Sequence, residues 1–164
     1  MMWTIGQMRL GQETAVEHFL KTRLPLVDVY NPRFLRPNSW SNRPPDRQQE
    51  AYLFPRYLFL SLTVPWQELT RVPGLTLVLE QGSPVNVPDK YVTELRTHSL
   101  PSTPQGSDMF VALTPVYEAI AKRPNHERAQ LLITMFDKDW TKLRGWGDIV
   151  QHYGGGFGKN GNPA

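Results

Sequence analysis

The sequence predicts an α+β fold, in which a four-stranded antiparallel sheet flanked by helices is followed by a small C-terminal domain. Short β-branched and aromatic runs alternate with amphipathic stretches in the N-terminal part of the chain. A small-residue, proline-rich run then separates this part from the rest, which is typical of a linker. A length of 164 residues suits one ordinary domain or two small ones.

Composition excludes several classes of protein. An apolar content of 40% and a charged content of 20% are typical of a folded soluble chain, and membrane association is not expected. The absence of cysteine excludes disulfides, thiolate metal sites and cysteine nucleophiles. No secretion signal is recognised at the N-terminus, so a cytoplasmic location is expected. The net charge of +3 is compatible with nucleic-acid contact.

The first predicted elements are a strand, a helix and a strand. Residues 3–8 form the first strand, and apolar residues at helical spacing after Gly11 predict an amphipathic helix that ends before Pro25. Residues 27–30 form the second strand. The polar, proline-dotted span 31–49 is interpreted as a long mobile connection between two antiparallel strands.

The stretch Leu53–Leu62, with the sequence LFPRYLFLSL, is apolar on both faces. Proline cannot donate a ladder hydrogen bond, so Pro55 is expected to mark where the third strand begins. From Arg56 onward side chains alternate, which places Tyr57 and Phe59 on one face and leucines on the other. Either helices bury this strand on both sides, or its aromatic face is a docking site for a partner.

Three further elements complete the N-terminal domain. A short helix is predicted over 64–72, a fourth strand over 75–79 and a second short helix over 88–97. The domain is therefore expected to span residues 1–98, and residues 99–107 form the predicted linker.

The C-terminal domain, residues 108–153, gives two competing predictions. It could form a small barrel of five short strands, at 109–113, 117–122, 128–134, 140–143 and 149–153. However, apolar residues between Arg128 and Leu143 recur at helical spacing, and β-branched residues are few there. Both structures stay open for this segment. The glycine-rich tail, 154–164, is expected to be disordered.

The sequence contains no recognisable catalytic or metal-binding pattern. Its four histidines are scattered without metal-ligand spacing. Asp137 and Asp139 are interpreted as solvated turn residues, and Gly158-Lys159 lacks the other residues of a phosphate loop. The protein is therefore expected to be non-enzymatic, without cofactor or metal. It is also expected to be a monomer.

A series of short motifs, in order and spacing, resembles the NusG transcription elongation factors, and among them the specialised paralogues of the RfaH type. These motifs are the strand at Trp3, Gly11-Gln12-Glu13, Phe54-Pro55-Arg56-Tyr57-Leu58-Phe59, Pro73-Gly74-Leu75, and Gly82-Ser83-Pro84-Val85 before Val87-Pro88. Beyond the linker, Tyr117-Glu118-Ala119-Ile120 and the run from Glu127 to Ile133 are similar to the RfaH-type C-terminal domain.

The resemblance implies a transcription elongation and antitermination factor. In the family, an apolar pocket of the N-terminal domain binds the clamp helices of the largest RNA polymerase subunit, which suppresses pausing and termination. The pocket includes the F-P-x-Y motif, so the implied contact residues are Phe54, Pro55 and Tyr57. Phe59 is expected to be a core residue instead.

The resemblance also implies contact with the non-template DNA strand of the elongation complex, through Arg9. Separately, the connection over 31–49 combines positive charges for phosphates with a ring for base stacking. Its candidate residues are Arg33, Arg36, Trp40, Arg43 and Arg47. A solvated loop is the alternative interpretation, and the alternative function is a stand-alone single-stranded nucleic-acid-binding module that acts without polymerase.

The C-terminal domain of RfaH-like proteins can be a helical hairpin that masks the polymerase site and then refolds to a small SH3-like barrel of the KOW type. The refolded barrel contacts ribosomal protein S10, which is a further partner implied here. The mixed periodicity over 128–143 suits such a switch, since two packings must be close in free energy. Two departures are visible: Val64-Pro65-Trp66-Gln67 replaces the residues that reach the second large polymerase subunit, and Thr114-Pro115-Val116-Tyr117 replaces the KOW glycine pair.

Overall fold

The computed structural model describes residues 1–35, 50–98, 115–134 and 142–153. The strands are β1 (Met2–Met8), β2 (Val29–Tyr30), β3 (Arg33–Leu35), β4 (Glu50–Tyr52), β5 (Tyr57–Ser61), β6 (Leu75–Leu77), β7 (Leu79–Glu80), β8 (Ser83–Pro84) and β9 (Val87–Pro88). The helices are α1 (Glu13–Arg23), α2 (Trp66–Leu69), α3 (Asp89–His98), α4 (Pro115–Ala121), α5 (Asn125–Thr134) and α6 (Trp146–Tyr153). In these ranges, no helix combines the length and apolar character needed to cross a bilayer.

The central sheet contains the four predicted strands in the order β2-β5-β1-β6, all antiparallel, and β9 adds a short pairing to β1. This confirms the predicted antiparallel α+β architecture. β5 begins two residues after Pro55, as expected from the proline's missing donor. Arg56 adopts a left-handed φ of 70°, which turns the chain from Phe54 into the strand.

The span 31–49 is not a structureless connection throughout, so that prediction is wrong at its N-terminal end. β3 and β4 form an antiparallel pair in which Arg33 lies opposite Tyr52 and Phe34 lies opposite Ala51. The burial of Phe34 explains this ladder, because a fully buried ring anchors the hairpin to the core. Residues 36–49 lie outside the described residues.

Two other predicted elements are shorter than expected. The helix predicted over 64–72 is a single turn, α2, because Pro65 starts it and only Leu69 is buried. The strand predicted over 75–79 ends at Leu77, and Leu79 pairs instead with Pro84 in a separate two-stranded ladder.

The sheet is covered on both faces, as its doubly apolar central strand requires. Leu58 and Leu60 of β5 pack with α1 and α2 in one core. Tyr57 and Phe59 of β5 pack in the second core, together with α3 and residues of all three C-terminal helices. We call this second side of the sheet the aromatic face.

Helix α3 is fixed to the aromatic face by polar contacts at both ends. The Trp3 indole Nε1 donates a hydrogen bond of 2.8 Å to Asp89 Oδ1, and this bond is the main cause of the lowered pKa of Asp89. At the other end, the Arg96 guanidinium lies 4.9 Å from the Trp3 ring centre and 5.0 Å from that of Tyr30. Arg96 also pairs with Asp28 at 2.8 Å. Since both rings belong to the sheet, α3 is held in one position over it.

The C-terminal segments form helices, so the five-stranded barrel is wrong for the described part of this domain. Residues predicted as strands over 117–122, 128–134 and 149–153 lie in or next to α4, α5 and α6, whereas 109–113 lies outside the described residues. Buried Trp146 and Ile149 are three residues apart, as on one side of a helix. The linker boundary at 99–107 also lies outside the described residues and stays a prediction.

Gly74 gives a test of the turn that precedes β6. Its φ is +79°, and a Cβ there would lie 3.2 Å from Cγ2 of the fully buried Val16, as well as against the flexible side chain of Gln12. Gly74→Ala should therefore lower the free energy of unfolding by roughly 1–3 kcal/mol, measured by urea denaturation. Gly82→Ala is the matched control, because Gly82 has the same φ but open space around it. If Gly82→Ala lowered the free energy of unfolding as much as Gly74→Ala, the steric part of the prediction would be contradicted.

Candidate functional site

The aromatic face contains a group of rings around the F-P-x-Y motif, which we call the aromatic patch: Tyr30, Phe54, Tyr57 and Phe59. Phe54 packs edge-on against Phe59 at a centroid distance of 6.3 Å, and Tyr30 stacks on Phe59 at 6.2 Å. Phe54 is completely buried, and Tyr57 is 8% exposed. The patch is therefore not an open hollow in this conformation.

Trp146 of α6 is the residue that covers Phe54. The two rings stack with centroids 5.4 Å apart, and Trp146 meets Tyr91 edge-on at 6.0 Å. The Trp146 indole Nε1 donates to the Tyr91 carbonyl at 2.9 Å, and its backbone N–H donates to Glu94 Oε2 at 3.0 Å. Because both donors of this buried residue are satisfied, the indole fits the patch without an unpaired polar group.

A glycine makes the Glu94 contact possible. A Cβ at position 145 would lie 2.4 Å from Glu94 Oε2, so Gly145 leaves room for the carboxylate that accepts from Trp146. Two side chains of α3 also donate hydrogen bonds to the Leu143 carbonyl, which precedes α6. The donors are Lys90 Nζ at 2.5 Å and Tyr91 Oη at 3.3 Å. Helix α6 is thus docked along α3 as well as on Phe54.

Helices α4 and α5 complete the covering layer, and we call α4, α5 and α6 together the C-terminal cover. Ile120 and Leu131 are fully buried in the core that contains the aromatic patch. Arg128 of α5 is 1% exposed and lies with its guanidinium 5.4 Å from the ring centre of Phe34. This contact joins α5 to the β3–β4 ladder.

The predicted nucleic-acid residues that are described lie in two places. Arg33 pairs with Glu17 at 3.1 Å and lies 5.1 Å from the ring centre of Tyr52, so its side chain is engaged within the fold. Arg9 is exposed and lines a cavity of about 210 Å³ at the end of β1. Arg36, Trp40, Arg43 and Arg47 lie outside the described residues, and their role stays a prediction.

The cavity beside Arg9 is a polar corner of the sheet. We use the name polar corner for its lining residues: Gln7, Met8, Arg9, Arg56, Gly74, Leu75 and Thr76. The sequence did not predict Arg56 here, although it stands within the F-P-x-Y motif. In the parts of the chain that are described, no group of histidine, aspartate or glutamate side chains is arranged to hold a metal ion.

Comparison with protein families now gives the decisive observation. The family described as transcription termination factor nusG matches residues 1–96, which is more than half of the chain. The chain belongs to the NusG family. The matched range contains the sheet, α1, α2 and most of α3, together with the aromatic patch. No curated protein matches the sequence.

Membership of the NusG family confirms the coarser part of the sequence-based prediction. NusG-family proteins are non-enzymatic transcription factors that bind RNA polymerase and act in termination and elongation. The C-terminal cover lies outside the matched range, so Trp146 is a feature that family membership does not supply. Its only sequence signal is a tryptophan between two glycines, Gly145 and Gly147, just before an apolar helix.

Tyr57 predicts a pH dependence that reports its burial. Burial raises the pKa of Tyr57 above its ordinary value of 10.0, and the Arg56 charge partly opposes this. In the unfolded chain the tyrosine loses its proton first, so this contribution to stability is complete below pH 10.0 and is lost as pH rises above it. Phenylalanine has no such proton. The free energy of unfolding should therefore fall more steeply above that pH in the wild type than in Tyr57→Phe, measured by urea denaturation. Parallel pH curves would contradict the prediction.

Proposed function

We propose that this protein is an elongation and antitermination factor of the RfaH type, whose aromatic patch binds the clamp helices of the largest RNA polymerase subunit. In the described conformation the C-terminal cover masks that surface. The observation that supports the proposal most is the stacking of Trp146 on Phe54. Through this contact a segment distant in sequence covers the phenylalanine of the F-P-x-Y motif. Polymerase binding would then require the cover to leave, after which the factor suppresses pausing and termination.

The chemistry of the cover indicates what the patch can accept. Helix α6 has eight residues and places one large aromatic ring on Phe54. An apolar side chain of a partner helix can use the same groove, which is the usual mode of helix-in-groove recognition. Rigid rings lose little conformational entropy on binding, and truncating such an anchor commonly costs about 2 kcal/mol or more.

Masking follows from competition for one surface. A ligand shifts the equilibrium between covered and open states only by its difference in affinity for them. The clamp helices bind the open state alone, since Phe54 is fully buried in the covered one.

The other partners in this proposal are the non-template DNA strand, through Arg9, and ribosomal protein S10. Contact with S10 follows if the released cover refolds to a small barrel. Residues of α5 have helical periodicity and are helical in this structure. A barrel would therefore be a second, alternative packing of the same residues.

Single-stranded nucleic-acid binding without polymerase is the alternative function. Its candidate Arg33 is ion-paired with Glu17 and stacked on Tyr52. A cover over the aromatic patch also has no purpose in that function, so the geometry favours the polymerase factor.

Opening the cover should increase polymerase binding. Trp146→Ala removes the ring that occupies Phe54, so affinity for a clamp-helix fragment should rise at least about 10-fold, which corresponds to about 1.4 kcal/mol. Isothermal titration calorimetry on the full chain measures this. Trp66→Ala is the matched control, because Trp66 packs against the opposite core. Phe54→Ala and Tyr57→Ala, each combined with Trp146→Ala, should abolish the gain.

Two results would contradict this proposal. Equal affinities for the wild type, Trp146→Ala and Trp66→Ala would show that the indole masks nothing. Retention of the fragment in the Phe54→Ala and Tyr57→Ala variants would favour the alternative function. Elongation on a template with a strong pause then measures activity, and Trp146→Ala should shorten the pause more than the wild type does.

Refolding of the cover has its own test. Backbone NMR chemical shifts of the full chain, recorded with and without the clamp-helix fragment, should change over 125–134 from helical to strand-like values when the fragment is bound. Helical shifts in both samples would contradict refolding and leave masking intact.

A further inference from the structure

We propose that the polar corner is a phosphate-binding site for a single nucleic-acid strand, in which Arg56 acts together with Arg9. This deepens the proposed function and rests on it for its biological role, because it assigns a second arginine to the DNA contact. The binding itself can be measured without polymerase.

Backbone hydrogen bonds hold the two arginines beside each other. The Met8 N–H donates to the Arg56 carbonyl at 2.6 Å, and the Arg9 N–H donates to the Gly74 carbonyl at 2.8 Å. The same two residues form a second hydrogen bond, in which the Arg56 Nε donates to the Met8 carbonyl at 3.2 Å. The end of β1 is thus tied to both neighbouring turns, and the guanidinium of Arg56 is held by its own Nε.

Among the described residues, no acidic side chain lines the polar corner. Its lining contains two arginines, a threonine and a glutamine, but no carboxylate. In the part of the chain that the structure describes, neither Arg9 nor Arg56 forms an ion pair. The Arg56 Nε is used by Met8, which leaves the four N–H groups on its two Nη atoms for a ligand. The two guanidinium groups, the Thr76 hydroxyl and the Gln7 amide are all hydrogen-bond donors. Together they suit an oxyanion with several acceptor atoms, such as a phosphate.

Arg56 has a left-handed backbone conformation, which suggests a functional role for its side chain. A φ of 70° is unfavourable for a residue with a Cβ, and glycine would adopt it without strain. Strained non-glycine residues cluster at functional sites, where the surrounding structure holds them in place. The only other non-glycine residue with positive φ among those described is Gln81, at the tip of the β7–β8 ladder.

Access and position favour a strand as the ligand. Arg9 is exposed and its neighbour Leu10 is 75% exposed, so a chain can lie across the corner with apolar surface beside it. In the sheet, Gln7 lies opposite both Tyr57 and Thr76. The polar corner therefore adjoins the aromatic patch, and a strand held there would pass next to the surface that binds polymerase.

The test is fluorescence anisotropy of a labelled single-stranded DNA oligonucleotide with the full chain, across a salt series. Arg9→Gln and Arg56→Gln should each weaken binding about 10-fold or more, and each should lower the slope of log K against log salt by up to about 0.7. The double variant should lose less than the product of the single effects, because both arginines contact the same phosphate.

Glycine at position 56 separates binding from folding. Arg56→Gly should keep or raise the thermal midpoint, because it relieves the positive φ, yet weaken oligonucleotide binding as Arg56→Gln does. Gln81→Gly is the matched control: it relieves the same kind of strain and should leave DNA affinity unchanged. Equal DNA affinity of Arg56→Gly, Gln81→Gly and the wild type would overturn the proposal.

Two further arms identify the ligand. Inorganic phosphate should displace the oligonucleotide only at concentrations far above the Kd of the oligonucleotide, and displacement at similar concentrations would overturn the assignment to a strand.

Binding of the clamp-helix fragment to Trp146→Ala should be insensitive to Arg56→Gln. Loss of fragment binding with unchanged DNA binding would mean that Arg56 contacts an acidic protein surface, which also overturns the assignment. Failure of the Trp146→Ala fragment assay alone would instead count against the proposed function.

Discussion

The structure depends on a central strand that is apolar on both faces. Leu58 and Leu60 of β5 must be buried on one side and Tyr57 and Phe59 on the other, because exposed apolar area of this size is unfavourable in water. The first side is closed by α1 and α2, which lie within the family-matched range. The aromatic side is closed by α3 and by three helices that lie beyond it. The covering of the aromatic side thus includes helices outside the family-matched range, whereas the other covering lies within it.

Several polar contacts join the cover to α3. Trp146 donates to Tyr91 and to Glu94, and the Leu143 carbonyl accepts from Lys90 and from Tyr91. Helix α3 is in turn held on the sheet by Trp3 and by Arg96. The cover thus docks on a helix that has its own attachment to the sheet. This arrangement is consistent with the proposed masking, in which α3 would stay in place when the cover is released.

The sequence predicted the N-terminal domain well because its signals are local. Pro55 marks the start of β5, and alternation within LFPRYLF separates the two cores without any knowledge of neighbours. It failed at Arg33–Leu35, where the surrounding prolines obscured a ladder that depends on the burial of Phe34. It left 128–134 undecided, since helix and strand periods overlap there and only tertiary contact selects one. Arg56 and Trp146 were missed because their roles follow from φ and from a long-range stack, which periodicity does not report.

The contact between Arg128 and Phe34 links two parts of the molecule that are far apart in sequence. Phe34 belongs to the β3–β4 hairpin, whose two strands enclose residues 36–49 and their arginines, while Arg128 belongs to the cover. In the proposed mechanism, departure of α5 removes the Arg128 guanidinium from the Phe34 ring, and the hairpin loses part of its support. By thermodynamic reciprocity, a ligand that prefers the loosened hairpin also favours departure of the helix. The proposed unmasking and the predicted nucleic-acid contacts of residues 36–49 would thereby be coupled through a single ring.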